Sequence, residues 1–335
     1  MVASEAALAL HHRSVVFDAH VDTVLHLGTG RHLAERSTSG HVDLPRLREG
    51  GVDLQVFALY IEPTYKPERA LARLVHLWDR LMTELAAAGS AVCLCRTVRD
   101  LETVPASGSL GAILSVEGGE VVGTDLAALR ALHALGVRAM GLTWNERNAI
   151  ADGAGETHAQ GGLTVFGHQV VAEMNRLGMV VDVSHLCERS FWDVIAASGA
   201  PVVASHSNAR ALCNHVRNLH DAQIVALARA GGVMGMNFFA QFLDERPDRA
   251  DVARVCDHID HICGLVGPRH VGIGSDFDGI GQVPRGLQDV AHLPAITEEL
   301  LRRGYGDADV AMVLGGNFLR VFTEVWAMGE AGTGM

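Results

Sequence analysis

A chain of 335 residues is long enough for one large α/β barrel or two ordinary domains, and a hydrophobic share of 48% with 5% aromatics describes a core of aliphatic side chains. A formal net charge of −12, with no Lys/Arg-rich block, argues against the basic surface that nucleic acid or an anionic membrane requires. The only lysine is Lys66, in a polar Pro-x-x-x-Pro loop, and no Gly-x-x-x-x-Gly-Lys loop occurs; phosphate-loop and lysine-imine chemistries are disfavoured.

From Met1 to Arg13 there is no basic start leading into a long apolar stretch, which argues against a secretory signal. No run approaches the roughly 20 apolar residues that cross a bilayer, and the end, Gly329 to Met335, is too short and polar to be an anchor signal. The cysteines (Cys93, Cys95, Cys187, Cys213, Cys256, Cys263) lack a zinc-ribbon spacing. Cys93 and Cys95 would share one face of a short strand as small buried hydrophobes. The expected setting is the cytoplasm, with reduced thiols.

Eight short apolar runs alternate with longer helix-like segments: Val15–His20, Val52–Leu59, Ala112–Glu117, Val137–Thr143, Met179–His185, Pro201–His206, Gly231–Phe238 and His270–Asp276. Several are near-continuous Val/Ile/Ala/Met, as suits parallel strands covered on both faces. Amphipathic segments at Glu68–Ala88, Asp125–Leu135, Val165–Leu177, Glu188–Ser198, Ala222–Ala230 and Asp251–Val266 fill the gaps. Eight strand-helix units with no dividing linker predict a (β/α)8 TIM barrel spanning 1–335. The competitor, an open dinucleotide-binding sheet, is disfavoured because the Gly-x-Gly within a predicted strand, Gly272-x-Gly274, is not followed by a glycine-rich turn into a helix.

Catalytic groups in such barrels sit at the C-terminal ends of strands. The first run ends in Asp18-Ala19-His20-Val21-Asp22, whose alternation puts Asp18, His20 and Asp22 on one face. The loop that follows carries His26, His32 and His41, expected to be solvated. Leu44 to Gly51 reads as a short helix closed by glycine. Tyr60 and Glu62, after the second run, either line a pocket or cap a loop. Glu117 follows a buried run and precedes two glycines, which suits the barrel mouth, with a helix cap or solvated loop as the alternative. After the fourth run, Trp144 is either a pocket wall or a core aromatic, and the Gly-rich loop to Gly162 is a candidate lid.

The fifth and sixth runs end in His185 and His206. With His20, Asp22 and Glu117 they make five imidazole and carboxylate ligands of the kind zinc prefers. That is more than one tetrahedral ion can use, and suits two metals sharing a carboxylate. After the eighth run Asp276 is the candidate proton carrier, with Asp278 as a loop-capping neighbour. Arg217 has the right shape for a substrate carboxylate, although a surface ion pair is an arginine's commoner fate.

With these residues in this order, the chain resembles the membrane (renal) dipeptidase family of zinc peptidases. The likeness rests on Phe17 to Asp22, Val116-Glu117-Gly118-Gly119, Asp182-Val183-Ser184-His185, Ser205-His206-Ser207, Arg217-Asn218, Ser275 to Gly279 and Leu314 to Phe322. It implies two zinc ions, one held by His20, Asp22 and Glu117, the other by Glu117, His185 and His206, with a hydroxide between them. It further implies that Asp276 transfers protons, that Arg217 binds substrate, that a D-residue is tolerated at the C-terminal position of a dipeptide, and that a homodimer forms. One departure stands out: Trp144 occupies the position of a family histidine that contacts the substrate near the scissile carbonyl. An indole donates one hydrogen bond and cannot become cationic, so Asn145, Asn148 or His158 would have to stand in. The departure keeps an alternative open, a related amidohydrolase acting on N-acyl amino acids or cyclic amides. Many amidohydrolase-type barrels bridge their metals with a carboxylated strand-four lysine, which is excluded here since Lys66 lies elsewhere; that favours the Glu117-bridged dipeptidase type.

Overall fold

The structure, a computed structural model, describes residues 3–28, 30–159 and 161–332. All eight apolar runs become strands: β1 (Phe17–Val21), β2 (Leu54–Tyr60), β4 (Leu110–Glu117), β5 (Val137–Gly141), β6 (Val180–Asp182), β7 (Val203–Ser207), β8 (Val233–Met236) and β9 (Val271–Ile273). They pair in parallel in the order β2-β1-β9-β8-β7-β6-β5-β4, and a β2–β4 ladder closes the ring. This is the expected (β/α)8 barrel. An additional short strand, β3 (Val92–Leu94), pairs with Leu110–Ala112 of β4, below the point where β5 takes over that edge at Leu114. Cys93 therefore lies on a strand and Cys95 just beyond it, buried.

The helix starts follow their caps. Asp125, Thr164 and Asp251 each accept a backbone N–H of the helix they open. The helix Val165–Leu177 ends at Gly178 in the left-handed conformation, φ 68°, which frees the chain to enter β6 two residues later. Gly272 and Gly274 serve packing: a Cβ at Gly272 would sit 2.6 Å from the Phe318 ring, and one at Gly274 1.7 Å from the Ser205 carbonyl. That accounts for the Gly-x-Gly without any nucleotide.

The C-terminal segment was not anticipated. Asp307–Ala331 is one helical stretch of 25 residues, long and apolar enough by length and composition to cross a membrane, contrary to the reading from apolar runs alone. Here its apolar side plugs the N-terminal end of the barrel: Phe318 and Phe322 lie 5.6 and 5.0 Å, ring to ring, from Phe17. Val321, Val325 and Trp326 join the same buried cluster as Val180, Val203 and Val233. Its apolar composition serves a core contact in this fold.

Two buried histidines outside the barrel mouth make stability depend on pH. His11 Nε2 donates to the Gly50 carbonyl (2.8 Å), so its Nδ1 accepts from the Thr297 hydroxyl (2.7 Å). His258 Nε2 donates to the Leu243 carbonyl (2.9 Å) and Nδ1 accepts the Ala209 N–H (3.1 Å). His258 must be neutral to make both of its bonds, and a neutral His11 makes both of its own. Burial pushes both imidazoles down to about 4 from 6.5. Because the unfolded chain takes up these protons first, stability falls as pH drops below 6.5 and the loss levels off near pH 4. The combined loss is on the order of a few kcal/mol. Urea melts of metal-free protein at pH 7 and 4.5 check this, and His11→Gln is expected to flatten the acid limb; an unchanged midpoint would contradict it.

Candidate metal centre

The predicted site residues meet at the C-terminal rim. Asp22 directly follows β1, Glu117 ends β4, His206 lies in β7, and His185 and Asp276 sit three residues past β6 and β9. His185 and Asp276 adopt left-handed backbones, φ 68° and 61°, which non-glycine residues take at a cost that clusters at functional sites. His185 is held there by its own carbonyl, which accepts from Ala154 N–H (2.7 Å) and Thr143 Oγ1 (3.3 Å). Asp276 is held by its N–H on the His20 carbonyl (3.1 Å).

Glu117 stands between two groups. Its Oε2 lies 3.4 Å from His20 Nε2, which in turn is 3.5 Å from Asp22 Oδ2 and 3.9 Å from Asp276 Oδ1. Its Oε1 faces His185 Nε2 (2.8 Å) and His206 Nε2 (3.6 Å). Ligand atoms of His20, Glu117 and His206, and of His20, Asp22 and Asp276, all fall within 4.8 Å of one another. The donor set fits divalent cations. His20 Nε2 and Asp22 Oδ1 are buried with no hydrogen-bond partner, a costly state unless an ion takes their lone pairs.

The electrostatics agree. Burial pushes the Asp276 carboxyl well above its usual range, reinforced by Asp22 and Glu117 although His20 opposes it. Burial also raises Asp22, with Glu117 adding to it. His185 is pushed down to about 3 by burial and by Arg217, and His206 falls well below its usual value through burial and then His20. Against burial, Glu117 and Asp22 raise the His20 imidazole well above its ordinary value, so the crowded carboxylates draw positive charge toward them.

The site opens into a cavity of about 620 Å³. Tyr60 and Trp144 line it with their rings 5.3 Å apart, which makes Trp144 a wall of the pocket and Tyr60 a lining residue. Glu62 points away into an ion pair with Arg73 (2.6 Å). Lys66 is half-buried behind the wall, over the Trp144 ring (5.2 Å), with Glu146 at 3.2 Å and Glu120 at 3.4 Å. Arg217 lines the cavity and is buried, with Nη2 donating to the His206 carbonyl (3.3 Å) and Nε unpartnered. Among the described residues no carboxylate lies within ion-pair distance of it, so it does not share the usual fate of a surface arginine.

Several expectations need correction. Of the stand-ins for the family histidine, Asn145 lines the metal cavity, whereas Asn148 and His158 do not. Asn145 turns its Oδ1 to His185 Nδ1 (2.9 Å). Asn148 is used up by the Leu142 carbonyl and the Ile150 and Ala151 N–H groups. His158 is exposed. The three loop histidines are not simply solvated: His41 Nδ1 accepts the Asp278 N–H (2.9 Å), His26 Nε2 donates to the Asp278 carbonyl (2.9 Å), and His32 meets Glu84 (3.0 Å). With Arg31 and Thr23, each 2.7 Å from Asp278 Oδ2, His41 and His26 brace the loop carrying Asp276. Asn237, which no sequence signal marked, donates Nδ2 to Asp276 Oδ2 (2.8 Å) and is itself fixed by Asn208.

A closed parallel barrel with carboxylates and imidazoles gathered at its C-terminal rim defines the class, a metal-dependent barrel hydrolase. Residues 4–332 match the profile of the membrane dipeptidase family, peptidase family M19, and the chain belongs to that family. It is a metallo-dipeptidase, a hydrolase acting on peptide bonds. Dipeptidase aclJ of Aspergillus oryzae is 36% identical, covering 85% of this chain and 70% of that protein. Dipeptidase 3 of Rattus norvegicus is 35% identical over 98% of this chain and 69% of its own length. A metallopeptidase from Rhodobacter sphaeroides, solved with a phosphinate mimic of the dipeptide L-Ala-D-Ala, superposes with a TM-score of 0.88 at 32% identity, covering 93% of this chain and 100% of that chain. The probable dipeptidase PvdM from Pseudomonas aeruginosa gives a TM-score of 0.91 at 27% identity, covering 97% and 98%.

Proposed function

We propose that this chain cleaves dipeptides with two zinc ions, His20, Asp22 and Glu117 holding one and Glu117, His185 and His206 the other, and that it accepts a D-residue at the C-terminal position. The D-residue is supported by the L-Ala-D-Ala mimic bound in the Rhodobacter relative. The observation that carries the substrate class is Arg217, a buried guanidinium facing the metal cavity without an acid partner among the described residues. A free α-carboxylate supplies what it lacks. Its tie to the His206 backbone holds this anchor close to the ligand cluster, which limits the peptide to one residue beyond the scissile bond.

Bound there, the metals supply Lewis-acid polarisation of the amide carbonyl and acidify a water for attack. Asp276, oriented by Asn237, takes the proton from the attacking water and passes it to the leaving amine. Trp144 and Tyr60 shield the cavity wall from solvent. We further propose that one catalytic domain over 1–335 acts in the cytoplasm as a homodimer; the six free thiols support that location. An N-acyl amino acid also offers an amide next to a carboxylate, and Trp144 in place of the family histidine favours keeping it as the second reading.

The test compares a dipeptide, its C-terminal amide and an N-acetyl amino acid at matched concentration. The dipeptide is expected to be preferred, hydrolysis to stop on exhaustive chelation, and Arg217→Met to lower kcat/KM for the dipeptide by roughly 10²-fold while hardly changing the amide. A clear preference for the acyl amino acid would install the second reading, and equal turnover of dipeptide and amide would remove Arg217's role.

A further inference from the structure

We infer that Asn145 and the Ser205–Asp182 pair set the ring tautomers of His185 and His206, so that both imidazoles turn a bare Nε2 to the cation position beside Glu117 Oε1. The inference rests on the two-metal reading and assigns its supporting residues.

The donors and acceptors leave one arrangement. The Asn145 amide oxygen, 2.9 Å from His185 Nδ1, only accepts, so Nδ1 carries the hydrogen. At His206 the neighbour is a hydroxyl: Ser205 Oγ lies 2.7 Å from Nδ1 and 2.5 Å from Asp182 Oδ2. A hydroxyl has one hydrogen. The Asp182 carboxylate takes it, its other oxygen already accepting the backbone N–H groups of Ser184 and Ser205, both at 2.9 Å. Ser205 therefore turns a lone pair to His206, and Nδ1 again carries the hydrogen.

Both Nε2 atoms are then bare. They stand 2.9 Å apart, with Glu117 Oε1 2.8 Å from one and 3.6 Å from the other. Three acceptors converge in a buried place, an arrangement a cation satisfies and a neutral hydrogen-bond network does not. On the opposite side of the barrel Asp18 and Ser275 repeat the Asp/Ser pairing (2.6 Å), including two backbone N–H groups on Asp18 Oδ1, but there the further contacts of Ser275 Oγ are the His20 carbonyl (3.4 Å) and the Phe277 N–H (3.3 Å) and not an imidazole. The relay through Ser205 thus bears on one of the two cation positions, and Asn145, Ser205 and Asp182 are positioning residues.

Zinc-loaded wild type, Asn145→Ala, Asn145→Asp, Ser205→Ala and Ser205→Thr are titrated with a chelator, metal per chain being measured at each step, with long-range ¹⁵N–¹H spectra of the histidine rings alongside. The alanine variants are expected to release one of two zinc ions at roughly 10- to 100-fold lower chelator than wild type. Asn145→Asp and Ser205→Thr, which restore the acceptor, are expected to keep it. The spectra are expected to show Nδ1–H on both rings in wild type. Alanine variants that hold both ions as tightly as wild type, or aspartate and threonine variants that fail equally, would overturn the inference. Asn145 is only half-buried on the rim, so its pair decides the matter should the Ser205 variants not fold. A wild type holding a single zinc would refute the two-metal reading instead; the ring spectra then decide by themselves, an Nε2–H on either ring overturning the tautomer assignment.

Discussion

Glu117→Gln is expected to reduce dipeptide hydrolysis by on the order of 10³-fold or more and to lower the zinc content below two per chain. Glutamine keeps the shape of the side chain but offers one neutral oxygen and an N–H₂ group. In the native protein the two carboxylate oxygens face opposite ways, Oε2 to His20 and Oε1 to His185 and His206. Whichever way the amide turns, it points a hydrogen at bare or cation-seeking nitrogens on one side. Burial opposes the Glu117 charge, yet His20 and then the His185 contact hold its acid well below the usual range; a neutral amide gives them no such charge. Elemental analysis and kcat/KM on the same preparation check this. Full activity with two metals retained would mean that the glutamate is not shared.

Asp276→Asn separates metal binding from proton transfer. Zinc content is expected to stay at the wild-type level, KM to change little, and kcat to fall by about 10²- to 10⁴-fold. Asparagine suits the test because, like aspartate, it tolerates the left-handed backbone that residue 276 adopts at φ 61°. It cannot accept and release a proton as the carboxylate does. The variant also keeps an oxygen for the Asn237 Nδ2 donor, 2.8 Å away, so the loop keeps its brace. Asp278→Asn provides the contrast. That carboxylate is spent on Arg31, Thr23 and the His41 N–H, and despite burial Arg31 holds it below its usual range. Its loss is expected to lower the melting temperature more than kcat. Equal kcat losses at both positions would undo the assignment of Asp276 as the proton carrier.

The sequence by itself determined the eight strands and the rim residues. A parallel strand covered on both faces must be apolar along its length, so its end shows as the place where Asp22, Glu117, His185, His206 or Asp276 interrupts the run. That signal is local and needs no partner. The helices, such as Val165–Leu177, were legible through a local signal as well, their amphipathic periodicity. The tertiary structure alone decided which atoms face each other. That Glu117 splits its oxygens between two imidazole groups, that Asn145 meets His185, that Asn237 holds Asp276, and that the apolar C-terminal helix plugs a barrel are pairings between residues tens to hundreds of positions apart. Hydrogen bonds act over about 3 Å and depend on direction, so such partners are fixed only when the closed sheet sets the distance between strand ends, and no spacing along the chain encodes that distance.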